Sequence, residues 1–86
     1  MKINLNDKQK QFLFDEYYVT SKVLDAYTYS GWQNFFIKNF IWKLDTEFNR
    51  WNMRDLVLIS KETGEETFNI GLNFQGTAFA ALLKIS

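Results

Sequence analysis

Apolar residues recur at helical spacing along the middle of the chain. Ser30 and Gln33 have the spacing of a helix-capping box, and the pattern runs from Gly31 to about Asn52. One face of such a helix carries Ile37, Phe40, Ile41, Leu44, Phe48 and Trp51. The pattern therefore predicts a long central helix that forms the middle of the core.

A second capping pattern lies near the start of the chain. Asn6 and Gln9 are three residues apart, and they predict a helix over about residues 7–18. Leu13 and Phe14 point to different sides of that helix, so it needs two packing partners. The next segment, residues 19–29, fits either a short helix or a strand.

The pattern changes to period two after residue 54. The β-rich run Leu56–Ile59 is followed by a polar turn with Gly64. Phe68, Ile70, Leu72 and Phe74 then alternate with uncharged polar residues and glycine. This alternation predicts an antiparallel β-hairpin. After Thr77, a potential cap, residues 78–85 fit a short helix or a third strand of a meander.

Together these elements predict one α+β domain over residues 1–86. Its helical part covers about residues 6–53, its β-hairpin about residues 54–75, and a short C-terminal element residues 77–85. Two or three helices, with the long central one among them, pack on the hairpin or on a small antiparallel meander. The expected core consists of Phe36, Ile37, Phe40, Leu44, Phe48, Leu58, Ile70 and Leu72.

Composition narrows the chemistry. The 86 residues include no Cys and no His, and ten basic side chains balance ten acidic ones. Disulfide scaffolds, Cys/His zinc sites and nucleophiles that rely on Cys or His are thereby excluded. Asp45 and Glu47 would point about 200° apart on a helix, so they could not share a metal. We expect no cofactor and no catalytic role, and a small enzyme is the least favoured function.

Aromatic residues are abundant, at 19% of the chain, and some of their surface should stay exposed. On the predicted helix, Phe35 and Trp42 lie one heptad apart, opposite the core stripe. A protein-binding face there would comprise Phe35, Lys38, Asn39, Trp42, Asp45, Asn49 and Met53. Alternatively, the first helix or the C-terminal segment covers this face.

Two further clusters allow other interpretations. A stripe of Lys43, Arg50 and Arg54 could track the phosphates of single-stranded nucleic acid, although Glu47 dilutes its charge. It could equally be a solvated rim of ion pairs. Four tyrosines within thirteen residues suit either a half-buried edge layer or a contact surface: Tyr17, Tyr18, Tyr27 and Tyr29.

These patterns favour a non-enzymatic module that binds another protein by occupying its surface, with self-association as an open alternative. An accessory single-stranded nucleic-acid-binding protein is the second hypothesis. Eight Lys against two Arg point to an AT-rich genome, which suits a phage or mobile-element protein that inhibits a host protein. Neither a signal peptide nor a membrane span is recognisable, so we expect a soluble cytoplasmic protein without membrane contact.

Overall fold

The computed structural model describes residues 1–17, 30–73 and 76–85. The chain begins with strand β1 (Lys2–Asn4), helix α1 (Asp7–Tyr17) and helix α2 (Ser30–Asn39). Three strands follow, β2 (Phe40–Asp45), β3 (Arg54–Ser60) and β4 (Glu66–Leu72), and then helix α3 (Thr77–Leu83). No helix within these described ranges is both long enough and apolar enough to cross a bilayer.

The four strands form one antiparallel sheet in the order β1-β2-β3-β4. Ile3 lies opposite Leu44, which lies opposite Leu56, which in turn lies opposite Ile70. These side chains share one face because successive residues of a strand point to alternate faces. That face of the sheet forms one side of the hydrophobic core.

The helices supply the other half of the core. Leu13 and Phe14 from α1, Phe36 from α2 and Leu82 from α3 belong to the same buried cluster as the sheet residues. The ring of Phe14 meets the indole of Trp42 edge to face, with 5.3 Å between centroids. The domain is thus a two-layer arrangement of helices on one face of a sheet.

The predicted long central helix is wrong. The helix ends at Asn39, and residues 40–45 form β2, in which Phe40, Trp42 and Leu44 are buried and the residues between them half-buried. Phe48, which we expected in the core, is exposed in the following loop, and Ile70 is only half-buried. The remaining predicted core residues are buried.

The end of α2 is held by donors from elsewhere in the fold. The last four carbonyls of a helix lack partners within it. The indole N–H of Trp42 donates to the carbonyl of Phe36 at 3.1 Å, and the ammonium of Lys10 donates to that of Ile37 at 2.8 Å. The amide of Lys61 donates to the carbonyl of Asn39 at 3.0 Å. Because these tertiary hydrogen bonds satisfy carbonyls of the last turn, they favour termination of the helix at Asn39.

Several local predictions are confirmed. Asn6 and Gln9 form the capping box, in which each side-chain oxygen accepts from the other residue's main-chain N–H at 2.8 Å. Residues 54–72 pair as a hairpin, whereas Phe74 and Gln75, the end of the predicted hairpin, lie outside the described residues. For the C-terminal segment, where the sequence fitted either a helix or a strand, the structure has a helix, and Gly76 rather than Thr77 occupies the N-cap position.

Other features lie outside those predictions. The sequence patterns did not indicate β1. The choice between helix and strand for residues 19–29 lies outside the described residues, as do Tyr18, Tyr27 and Tyr29.

Candidate functional site

The helical face predicted to bind a partner does not exist in the fold. Phe35, Lys38 and Asn39 are exposed on α2, but Trp42 has 0% exposure at the centre of the core. Asp45 ends β2 and is half-buried, whereas Asn49 and Met53 are half-buried in the loop that follows. The seven residues therefore form no single surface, because the chain leaves the helix at residue 39.

The predicted basic edge is dispersed as well. Lys43 pairs with Val57 on one face of the sheet, whereas Arg54 pairs with Leu72 on the opposite face. Arg54 is only 7% exposed. Arg50 is on neither strand and is exposed in the loop between β2 and β3. The three cations do not line up to follow one phosphate backbone.

The loop between β2 and β3, residues 46–53, presents two exposed aromatic side chains close together in the chain. Trp51 is 62% exposed and Phe48 is 44% exposed. The guanidinium carbon of Arg50 lies 4.3 Å from the centroid of the Trp51 ring. We call Phe48, Arg50 and Trp51 the loop surface.

Asn49 shapes this loop from within. Its side-chain oxygen accepts from the main-chain N–H of Trp51 at 2.8 Å and from that of Met53 at 3.1 Å. Its amide nitrogen donates to a carboxylate oxygen of Asp55 at 2.9 Å. Asn52 adopts a positive φ of 59°, which asparagine tolerates better than most residues. The backbone that carries Trp51 is thus fixed by specific bonds.

Arg54 fastens the loop to the rest of the fold. Its guanidinium carbon lies 4.2 Å from the centroid of Phe48 and 3.7 Å from that of Phe79 on α3. The same group donates to the carbonyl of Thr46 at the start of the loop. A buried cation between two rings is among the stronger cation–π arrangements. The ring of Phe48 is therefore held in place even though much of its surface is exposed.

A small charge cluster lies at the end of β2. The Met1 amino group is 3.2 Å from a Glu47 carboxylate oxygen and 3.4 Å from one of Asp45. Its pKa is raised, chiefly by the hydrogen bond to Glu47. The pKa of Asp45 is lowered, chiefly because its carboxylate accepts the main-chain N–H of Glu47. The expectation that these two carboxylates point apart is wrong, because residues 45–47 are not helical.

An open cleft of about 420 Å³ lies between the end of α2 and the turn that joins β3 to β4. Phe35 and Phe40 contribute aromatic walls, and Glu62 and Glu65 contribute carboxylates. Within residues 1–17, 30–73 and 76–85, no three acidic side chains are grouped closely enough to hold a metal ion.

Comparisons of the chain with protein-family models, with curated proteins and with solved structures found no match. The geometry of the described residues is therefore the basis for any functional hypothesis.

The helical interpretation concealed the loop surface, because it assigned Phe48 and Trp51 to the core stripe. A local signal was present in the chain. The polar residues Asn49, Arg50 and Asn52 interrupt two apolar runs, and asparagine is a turn former. Two strands flanking a turn would have placed Trp51 at a loop tip.

Proposed function

We propose that the protein is a non-enzymatic module that binds a partner protein through the loop surface. The single observation that carries this proposal is the exposure of Trp51, at 62%, on a turn in which the Asn49 side chain accepts two main-chain hydrogen bonds. Tryptophan and arginine are the residues most enriched among those that dominate binding energy in protein interfaces. Arg50 and Trp51 are adjacent and in contact.

The contacts within the loop support the same proposal. Binding costs free energy when it immobilises loops and side chains. Here three side-chain bonds of Asn49 and the position of Arg54 between Phe48 and Phe79 order the loop in the isolated chain. A partner would therefore bind an already ordered surface, and more of the contact energy would remain as affinity.

The surroundings of the loop surface indicate the chemistry of the partner. Glu47 and Arg50 are exposed close to Trp51 in the chain and carry opposite charges, and the whole chain has a net charge of zero. A mixed polar rim around an aromatic centre is typical of protein–protein contacts. Such a module would act by occupying a surface of its partner, and inhibition of a host protein is one role of this kind.

Single-stranded nucleic acid is the second candidate ligand, and one observation favours it. An exposed indole with a guanidinium over its face can also stack on a base. However, Lys43 and Arg54 lie on opposite faces of the sheet, so few cations accompany that platform. We therefore place protein binding first.

The test compares Trp51→Ser with Phe35→Ser as the matched control, because Phe35 is an aromatic residue that is 44% exposed outside the loop surface. Proteins captured from lysate by the wild-type chain alone would be purified, and each would be titrated with the wild type, Phe35→Ser and Trp51→Ser. We expect Trp51→Ser to weaken the reconstituted complex about 30-fold or more.

Two results would contradict the proposal. One is a purified partner that binds Trp51→Ser and the wild type equally. The other is a salt-sensitive affinity for single-stranded oligonucleotides that Trp51→Ser abolishes, which would favour the second candidate.

A further inference from the structure

Strand β4 is the last strand of the sheet, and its outer edge has no strand beside it in the described part of the chain. An unpaired edge presents main-chain donors and acceptors to any extended segment that approaches. Natural proteins protect such edges with charged residues, proline, bulges or very short strands. The two edges of this sheet differ in these protections.

The opposite edge, β1, is protected. It is three residues long, begins with Lys2, and follows the charged Met1 amino group that Asp45 and Glu47 hold. β4 has seven residues, and after Glu66 it contains neither a charged residue nor a proline. Its pairing has one irregularity: Leu58 pairs with Phe68 but Ile59 pairs with Glu66, so Thr67 is an extra residue at the start of β4. The register with β3 is regular from Phe68 to Leu72.

The apolar row of β4 is also incompletely covered. Phe68 and Ile70 face the core layer but are half-buried, whereas their partners on β3, Leu58 and Leu56, have 0% exposure. Side chains in the row next to an open edge lack a neighbour on one side. One more strand would bury the remaining surface of both.

We propose that a second copy of this chain occupies this edge, with the two β4 strands antiparallel about a two-fold axis at Asn69. In that register Phe68 lies opposite Ile70 of the partner subunit and Asn69 lies opposite its own copy, so the pairing is centred on the regular part of the strand. The two subunits then share one continuous eight-stranded sheet.

A second copy suits this edge because a two-fold antiparallel pair uses the same strand twice. The register brings apolar residues opposite apolar ones on the core face and small or uncharged residues opposite each other on the other face. Positions 67–71 carry no charged side chain, so the paired strands bring no like charges together. Two chains of zero net charge also do not repel each other at long range.

The test exploits the axis. Asn69 is exposed, and on the axis it lies opposite its own copy, so Asn69→Lys brings two like charges together and Asn69→Glu does the same. We expect the wild type to dimerise in sedimentation equilibrium and each variant alone to dimerise about tenfold or more weakly. An equimolar mixture of the two variants should regain dimerisation as a heterodimer. Thr63→Lys, in the exposed β3–β4 turn, is the matched control and should dimerise like the wild type.

Each alternative outcome overturns the proposal. A wild-type chain that stays monomeric to millimolar concentration has no such interface. If Asn69→Lys leaves the dimer intact but Trp51→Ser disrupts it, the dimer assembles through the loop surface instead. A monomer that binds an added extended peptide along β4 takes a foreign strand. Thermal melts of both Asn69 variants separate loss of pairing from loss of folding.

Discussion

The ammonium group of Lys10 on α1 donates a 2.8 Å hydrogen bond to the carbonyl oxygen of Ile37 in the last turn of α2. The same nitrogen donates to the carbonyl of Phe40, the first residue of β2, at 3.1 Å. One side chain therefore bridges the end of a helix and the start of a strand. Lys10 is buried, and its only ion pair among the described residues is with the exposed carboxylate of Asp7 at 3.5 Å.

Replacing Lys10 should destabilise the fold. Lys10→Met keeps most of the aliphatic length but removes the donor, so two carbonyls at the helix-to-strand junction lose it. We expect a loss of about 1–3 kcal/mol in the free energy of unfolding, measured by urea titration. Lys8→Met, an exposed change in the same helix, should cost less than about 0.5 kcal/mol. Equal costs would show that the Lys10 bonds contribute nothing.

Lys10 also predicts a pH dependence. Its pKa is lowered from the ordinary value of 10.5, chiefly because burial disfavours the charged form; the charge of Lys61 adds to this shift and Asp7 opposes it. Between the folded pKa and 10.5, the unfolded chain binds more protons at this site than the folded chain does. The contribution of Lys10 to stability therefore rises as pH increases through this window.

The measurement is the difference in unfolding free energy between the wild type and Lys10→Met at a series of alkaline pH values. All other ionisable side chains are common to the two proteins, so their effect largely cancels in the difference. We expect the difference to grow as pH approaches 10.5. A constant or shrinking difference would mean that burial does not disfavour the charged form of Lys10 in the folded protein.

The junction at Asn39 also explains which parts of the fold the sequence could reveal. Capping of α1 by Asn6 and Gln9 and the alternation of β4 each depend on residues close together in the chain, so the pattern was sufficient. The donor to Ile37 lies 27 residues away along the chain. No short stretch of sequence around α2 contains that donor, so the local pattern could not indicate where the helix ends.

The segment after Asn39 was ambiguous for the same reason. Phe40, Ile41 and Leu44 have helical spacing, yet Phe40, Trp42 and Leu44 alternate as a strand does. Pairing of β2 with both β1 and β3 settles the choice in favour of the strand. That pairing depends on contacts between residues distant in sequence, and such contacts override the local preference of a segment for helix or strand. The error moved Trp42 to the surface and Trp51 into the core, so the site was misplaced with the helix.

The positions of Trp42 and Phe35 predict very different mutational costs. Trp42→Ala opens a cavity at the centre of the core and removes the donor to Phe36, so it should cost about 3–5 kcal/mol. Phe35→Ala should cost about 1 kcal/mol, because the ring is 44% exposed and contacts Phe36 and Phe40 on one side. Chemical denaturation of both variants gives the comparison. Similar small losses would contradict the burial of Trp42.

The contact between Arg54 and its two rings predicts that charge alone cannot replace it. Arg54→Lys keeps the positive charge but loses the planar group that lies between Phe48 and Phe79 and also donates to the carbonyl of Thr46. We expect Arg54→Lys to cost about 1–2 kcal/mol and Arg54→Ala about 2–4 kcal/mol in urea titrations.

Arg50→Ala is the matched control, because Arg50 also lies over a ring but is exposed, and it should cost less than about 1 kcal/mol. If Arg54→Lys is as stable as the wild type, a point charge suffices and the loop does not depend on the stack. If it is destabilised as expected, its affinity for a partner should fall as well, because Phe48 would no longer be held in position for the contact.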